Sequence, residues 1–317
     1  MLKKNILRIA CLTTIGFSTL NTVFINNTSI AAPAKFGAWI TYFDEEKGIK
    51  DYQQVKNKID SLSLFQVNYK NGEPVLHQFE NKIKAKNTYL TFVNDTETIQ
   101  KDSQLLKQIF NDEAQINKMI SLAKSQKCKG IELDFENFWD NKQLIKDYFT
   151  FTYRLYSACL KNDLKLRIIL EPKALKYSIS EDYIHGPEYV VMLYNLYGKH
   201  SGPGAKATDK WIEQVVERMK IIPGNRGVAI ATGGCAWEKD NTRYLSEEDC
   251  YKLIPKEQYM RDGASYDLTY EGKDTIIYVA DVETINHQID LLHKNDMNNI
   301  YLWKLGGNVN LKKLNTK

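Results

Sequence analysis

Eight short apolar runs alternate with amphipathic helical patterns across residues 35–317, which predicts an α/β protein, a (β/α)8 TIM barrel with a small insertion after strand seven. Three observations carry that reading. Most candidate strands are near-continuous apolar runs, as parallel strands covered on both faces must be. Helical patterns stand between them, as βα units require. Residues Gly233–Asp281 are too long for a βα loop and carry their own helix and hairpin signals. A doubly wound open sheet is the competing arrangement on pattern alone.

In chain order the strands are Phe36–Phe43 (FGAWITYF), Ser63–Tyr69 (SLFQVNY), Thr88–Val93 (TYLTFV) and Gly130–Glu136 (GIELDFE). Leu166–Leu170 (LRIIL), Tyr189–Tyr194 (YVVMLY), Gly227–Ala231 (GVAIA) and Ile300–Leu305 (IYLWKL) follow. Ile116, Ile120 and Ala123 keep the i, i+4, i+7 spacing of a helix face, as do Leu144, Tyr148 and Phe151, extended by Leu155 and Cys159. Trp211, Val215 and Met219 repeat it, and so do Ile285, Ile289 and Leu292. Within the insertion, about 233–281, Ser246–Leu253 suits a short helix and Tyr266–Val279 a hairpin around Glu271-Gly272.

The 317 residues are 43% hydrophobic and 26% charged, which excludes a largely disordered, collagen-like or multi-span membrane chain. Lys3, Lys4 and Arg8 supply three of the net four positive charges, so the rest of the chain has no basic excess to hold nucleic acid. Residues 1–34 have the form of an export signal. A basic start is followed by an apolar stretch, Ile9–Ile25, and by the small-x-small triplet Ala32-Pro33-Ala34. Asn21 and several Thr and Ser weaken that stretch as a membrane span. The expectation is a cleaved signal, a mature chain of 35–317 in the cell envelope or outside the cell, and no stable membrane insertion. An uncleaved anchor is the alternative.

After the signal four cysteines remain, an even number that permits two disulfides in an exported protein. Cys128 precedes strand four and Cys159 ends the helix after it, so a βα unit brings them to one face of the barrel. Cys235 and Cys250 then pair within the insertion. Free buried thiols are the alternative. The spacing fits no CxxC metal pattern, and no metal or cofactor is expected.

The informative segment is Gly130-Ile131-Glu132-Leu133-Asp134-Phe135-Glu136. Strand alternation puts Glu132, Asp134 and Glu136 on one face and Ile131, Leu133 and Phe135 on the other. In a barrel the apolar face meets the helices, so the acids point to the axis, about 7 Å apart in succession. Glu136 falls at the C-terminal end of the strand, where barrel active sites sit. A carboxyl beside another carboxylate in a partly closed site holds its proton toward neutral pH and serves as a general acid.

This segment resembles the strand-four signature of family 18 glycoside hydrolases, the chitinase family, usually written DGxDxDxE. Lys129 and Glu132 depart from it, whereas Asp134 and Glu136 match. Met192-Leu193-Tyr194-Asn195 resembles the family's strand-six motif, Trp303 its strand-eight tryptophan, and Pro172 its strand-five proline. The stretch Leu245–Leu292 is similar to spore-cortex and cell-wall members. The resemblance implies a retaining hydrolase of β-linked N-acetylglucosamine polymers in which the substrate's own acetamido group is the nucleophile. In these roles Glu136 is the acid, Asp134 orients the acetamido group and stabilises positive charge, and Tyr194 donates to its oxygen. Asn195 stands beside Tyr194, and Trp303 floors the sugar.

Glu132 either tunes Asp134 by sharing a proton or is a buried salt-bridge partner. Trp39 and Trp237, near strand ends, are candidates to line a sugar cleft, with core packing as their alternative. The expected partner is a polysaccharide or glycan containing N-acetylglucosamine, and the protein is expected to act as a monomer. Two other readings compete: a carbohydrate-binding lectin on the same barrel, against which Glu136 argues, and a metal-dependent hydrolase using Glu132, Asp134 and Glu136.

Overall fold

The computed structural model describes residues 34–81, 83–94 and 103–316. The export signal falls outside the described residues, apart from Ala34. Eight parallel strands close a barrel: β1 (Lys35–Thr41), β2 (Ser61–Lys70), β4 (Thr88–Val93), β5 (Gly130–Asp134), β6 (Lys165–Leu170), β7 (Glu188–Met192), β8 (Arg226–Ala231) and β14 (Asn299–Trp303). Pairing of β1 with both β2 and β14 completes the ring. A short strand, β3 (Glu73–Leu76), folds back antiparallel on the end of β2.

Outward residues of each strand meet the helices. Ile131, Leu133 and Phe135 of the acidic segment pack in this outer core with Ile116, Ile120, Tyr148, Phe151 and Leu155. The helices begin where side chains satisfy their first free N–H groups. Asn141 accepts from Gln143 and Leu144 (3.1 and 3.2 Å) to start Lys142–Lys161, and Asp281 accepts from Thr284 (3.0 Å) to start Val282–Lys294. Among the described residues no helix is long and apolar enough to cross a membrane.

Between β8 and β14 the chain makes a separate antiparallel sheet, in the order β10 (Asn241–Leu245), β9 (Gly233–Glu238), β13 (Thr275–Ala280), β12 (Leu268–Glu271) and β11 (Met260–Arg261). Helix Glu247–Leu253 covers it, and Ala236, Cys250, Tyr259, Leu268, Ile277 and Val279 form a core of its own.

Neither expected disulfide forms. Cys128, Cys159, Cys235 and Cys250 are all free and buried. Burial pushes the thiols of Cys159 and Cys250 up to about 12, so they behave as small apolar side chains rather than nucleophiles.

The barrel floor holds a buried charge network. The Arg167 guanidinium lies between the rings of Tyr89 and Tyr301, 4.1 Å from each centroid. It pairs with Glu132 and with Glu188, both at 2.9 Å. The two tyrosine rings need room on the axis, which explains two glycines. A Cβ on Gly130 would stand 2.5 Å from Tyr89, and one on Gly37 2.4 Å from Tyr301.

Candidate active site

The segment around Glu132 is a strand only as far as Asp134. Beyond it β4 has ended and β6 runs only to Leu170, and side chains take over the pairing. Asn94, the first residue after β4, accepts from the Glu136 N–H (2.8 Å) and donates to the Glu136 carbonyl (2.9 Å). Glu171, the first residue after β6, accepts from the Asn137 N–H at 2.7 Å. Asn137 itself takes φ +66°, so the chain turns sharply after Glu136. Glu136 is thus presented by a loop pinned on both sides.

The predicted strand Tyr189–Tyr194 likewise stops early, at Met192. Asn195 adopts φ +62°, which turns the chain outward over the mouth. The eighth strand ends at Trp303, and the Trp303–Lys304 peptide is cis.

A cavity of about 270 Å³ opens at the C-terminal mouth of the barrel. Asp134, Glu136, Tyr194, Asn195 and Trp303 line it together with Phe43 and others. Asp134 is 8% exposed and Glu136 half-buried. Burial, reinforced by the negative charges of Asp134 and Glu136, pushes the Tyr194 hydroxyl well above its ordinary pKa. It therefore keeps its proton and stands as a hydrogen-bond donor. Trp303 is braced edge-on by Phe65 (5.1 Å) and by Trp39 (5.8 Å), leaving its ring half-exposed to the cavity.

Three further residues singled out in the sequence, Glu132, Trp39 and Trp237, do not line this cavity. Glu132 is fully buried below the cavity, where Arg167 (2.9 Å), Ser63 (2.8 Å), Thr91 (2.8 Å) and the Trp39 indole N–H all bind its carboxylate. This is the salt-bridged alternative, and the reason is the arginine directly opposite it in register on β6. Trp39 is 2% exposed and serves Glu132 and Trp303 from behind. Trp237 lies on β9, where its indole N–H donates to the carbonyls of Gly198 (3.3 Å) and Ser201 (3.2 Å). It fastens the loop after β7 to the insertion.

Asn94, Glu171 and Phe43 belong to the cleft, and no motif in the sequence marks them. Asn94 and Glu171 each follow a predicted strand by one residue, the position that barrel active sites draw on, and that position was the available signal. Among the described residues no group of three or more His, Cys, Asp or Glu side chains converges to hold a metal ion.

With this geometry in hand, comparisons with solved structures place the fold. A chitinase from Chromobacterium violaceum superposes with a TM-score of 0.73 at 14% identity, covering 88% of this chain and 96% of that one. A class V chitinase from Pseudomonas fluorescens gives 0.72 at 18% identity, covering 88% and 97%. The Bacillus megaterium spore cortex-lytic enzyme SleL gives 0.69 at 14% identity, covering 90% of this chain and 73% of that one. No family model matches the sequence, and no curated protein matches it. At these identities the likeness establishes the fold: a chitinase-like (β/α)8 barrel.

Proposed function

We propose that the protein is an exported retaining glycoside hydrolase that cleaves β-linked N-acetylglucosamine polymers, with cell-wall peptidoglycan as its target. The observation that carries this reading is that one cavity at the barrel mouth gathers Asp134, Glu136, Tyr194, Asn195 and Trp303. The solved structures it resembles, named as chitinases and as a spore cortex-lytic enzyme, support the same class of reaction. The basic, apolar and small-residue pattern of residues 1–34 supports export.

In this reading the sugar to be cut lies on the Trp303 ring. Glu136 donates its proton to the glycosidic oxygen as the C1–O bond breaks. The acetamido carbonyl oxygen of the same sugar bonds to C1, giving an oxazolinium ion, while the leaving chain departs as an alcohol. Asp134 orients the acetamido N–H and stabilises the positive charge, and the Tyr194 hydroxyl hydrogen-bonds the acetamido oxygen. Water then attacks C1, the Glu136 carboxylate takes its proton, and the ring opens with retained configuration.

The test is digestion of purified sacculi and of chitin, with mass analysis of the new reducing ends. Fragments ending in N-acetylglucosamine, absent with Glu136→Gln, are expected from sacculi. Binding to either polymer without new reducing ends would assign a lectin instead. De-acetylated polymer should be inert and an oxazoline-mimicking thiazoline should inhibit. A covalent glycosyl-enzyme trapped by a fluoro-sugar would overturn the mechanism.

A further inference from the structure

The central cavity continues in two directions. One extension, of about 530 Å³, shares Glu136, Met192, Tyr194 and Asn195 with it. The other, of about 460 Å³, shares Phe43, Asn195 and Trp303, and the insertion walls it with Gly233, Tyr244, Leu245 and Ser246. If the cut sugar lies on Trp303 and Glu136 serves the leaving oxygen, the first extension takes the leaving chain. The second takes the sugar that precedes the cut one, toward the non-reducing end.

That second extension has an imbalance of charge. Three ammonium groups, Lys47, Lys206 and Lys304, line it against two carboxylates, Asp44 and Asp249. Lys304 pairs with Asp44, and Lys47 with Asp249 at 3.0 Å. Among the described residues no carboxylate lies within ion-pair distance of Lys206. Its Nζ donates to the Thr232 carbonyl at 2.8 Å and stands 6.0 Å from the Tyr244 ring centroid. Burial lowers the pKa of this ammonium, with Cys250, Asp267 and Cys235 acting the other way. The Asp267 carboxyl is itself pushed up to about 8 by burial, so it is largely neutral at neutral pH. An ammonium has three donors, and one carbonyl takes one of them.

We propose that Lys206 binds a carboxylate on the sugar preceding the cut N-acetylglucosamine, so that the cleft takes an alternating glycan in which every second sugar is acidic and cuts it internally. This rests on the hydrolase reading for the direction of the chain. The ether-linked lactyl group of muramic acid has the required chemistry, whereas a chitin chain offers a neutral hydroxyl there. A charge-assisted hydrogen bond from a partly desolvated ammonium is among the stronger single contacts available.

The test titrates full-length Glu136→Gln protein with two tetrasaccharides in a calorimeter. One is a peptide-free strand of alternating N-acetylglucosamine and N-acetylmuramic acid, and the other is the chitin tetramer. The acidic strand should bind about tenfold tighter at low salt, and the ratio should fall as salt rises. Lys206→Met in the same background should bring the ratio close to one. Converting the lactyl carboxylate to its primary amide removes the charge from the ligand, keeps the acetamido group and should do the same. The amide comparison decides the matter even if Lys206→Met does not fold. Equal affinity for both strands, or a preference that survives both changes, overturns the proposal. Acid-strand binding through Lys206 by a wild-type protein that cleaves neither polymer would sustain this site and remove the hydrolase reading alone.

Discussion

The floor and the mouth of the barrel hold acids from the same strand face, yet they are built on opposite rules. At the floor, Glu132 has an arginine, two hydroxyls and an indole around its carboxylate, and the arginine is shared with Glu188. Burial alone would raise the Glu188 carboxyl, but Arg167 and the Tyr301 hydroxyl hold it below its ordinary value. Four residues further on, Glu136 has its backbone clamped by Asn94 while its side chain faces a cavity. The floor spends its polar groups on each other. The mouth fixes the main chain of Glu136 and turns its side chain toward the cavity. Stability and activity should therefore separate along one strand.

The largest effect that tests this separation is on activity. Glu136→Gln should lower hydrolysis of N-acetylglucosamine polymers by about 10²–10⁴-fold, because only the transferable proton is lost. Its thermal midpoint should match the wild type. A rate within a few-fold of wild type would remove Glu136 as the acid.

Glu132→Leu should do the reverse. It leaves Arg167 buried with half its counter-charge, which costs about 3–5 kcal/mol of stability. Urea unfolding measures this. A stable variant that had lost all activity would mean that Glu132 acts on Asp134 rather than on Arg167.

Tyr194→Phe sharpens the picture of the mouth. In the proposed mechanism this removes one hydroxyl donor to the acetamido oxygen, which is worth about 1 kcal/mol, or several-fold in kcat/KM, with no loss of folded protein at room temperature. Unchanged kinetics would show that the hydroxyl does not touch the reacting group.

The smallest effect concerns a third way of burying an acid, seen in the insertion. The Asp267 carboxyl is pushed up to about 8 by burial, and among the described residues it has no ion pair. A carboxyl with a raised folded pKa binds its proton more tightly when folded. The stability it adds is present at low pH and is lost as pH rises from about 4, its unfolded value, to about 8. Asp267→Asn should flatten the fall of the melting midpoint across that window. The Glu247 carboxyl, raised by burial to about 7, acts in the same direction in both proteins, so the difference between them reports Asp267. Parallel pH curves for the two proteins would show that Asp267 is ionised in the fold.

Much of this arrangement is legible along the chain. The alternation in GIELDFE places three acids on the axis because a strand has a period of two, and Ile131, Leu133 and Phe135 do meet the helices. The apolar runs mark all eight barrel strands to within a few residues at each end, and the break in their rhythm marks the insertion. The errors fall at strand ends. Both Gly130–Glu136 and Tyr189–Tyr194 look like continuous strands, but they end at Asp134 and Met192, and Asn137 and Asn195 turn the chain beyond them with positive φ. Trp39 and Trp237 were candidates for the cleft because an aromatic near a strand end has no local signature of where its ring points.

Which face of each strand is apolar, where the chain must turn, and which carboxyls share the barrel axis can all be read along the chain. These depend on spacing along one segment. Which of those acids is neutralised depends instead on how the barrel closes. Arg167, Ser63, Thr91 and Trp39 reach Glu132 from four different strands, at separations of 35 to 93 residues. The same holds for Asn94 on Glu136 and for Lys206, left beside Thr232 without a carboxylate partner among the described residues. Electrostatic fate depends on distance in space over a few ångströms, and barrel closure sets those distances between residues that sequence order keeps apart.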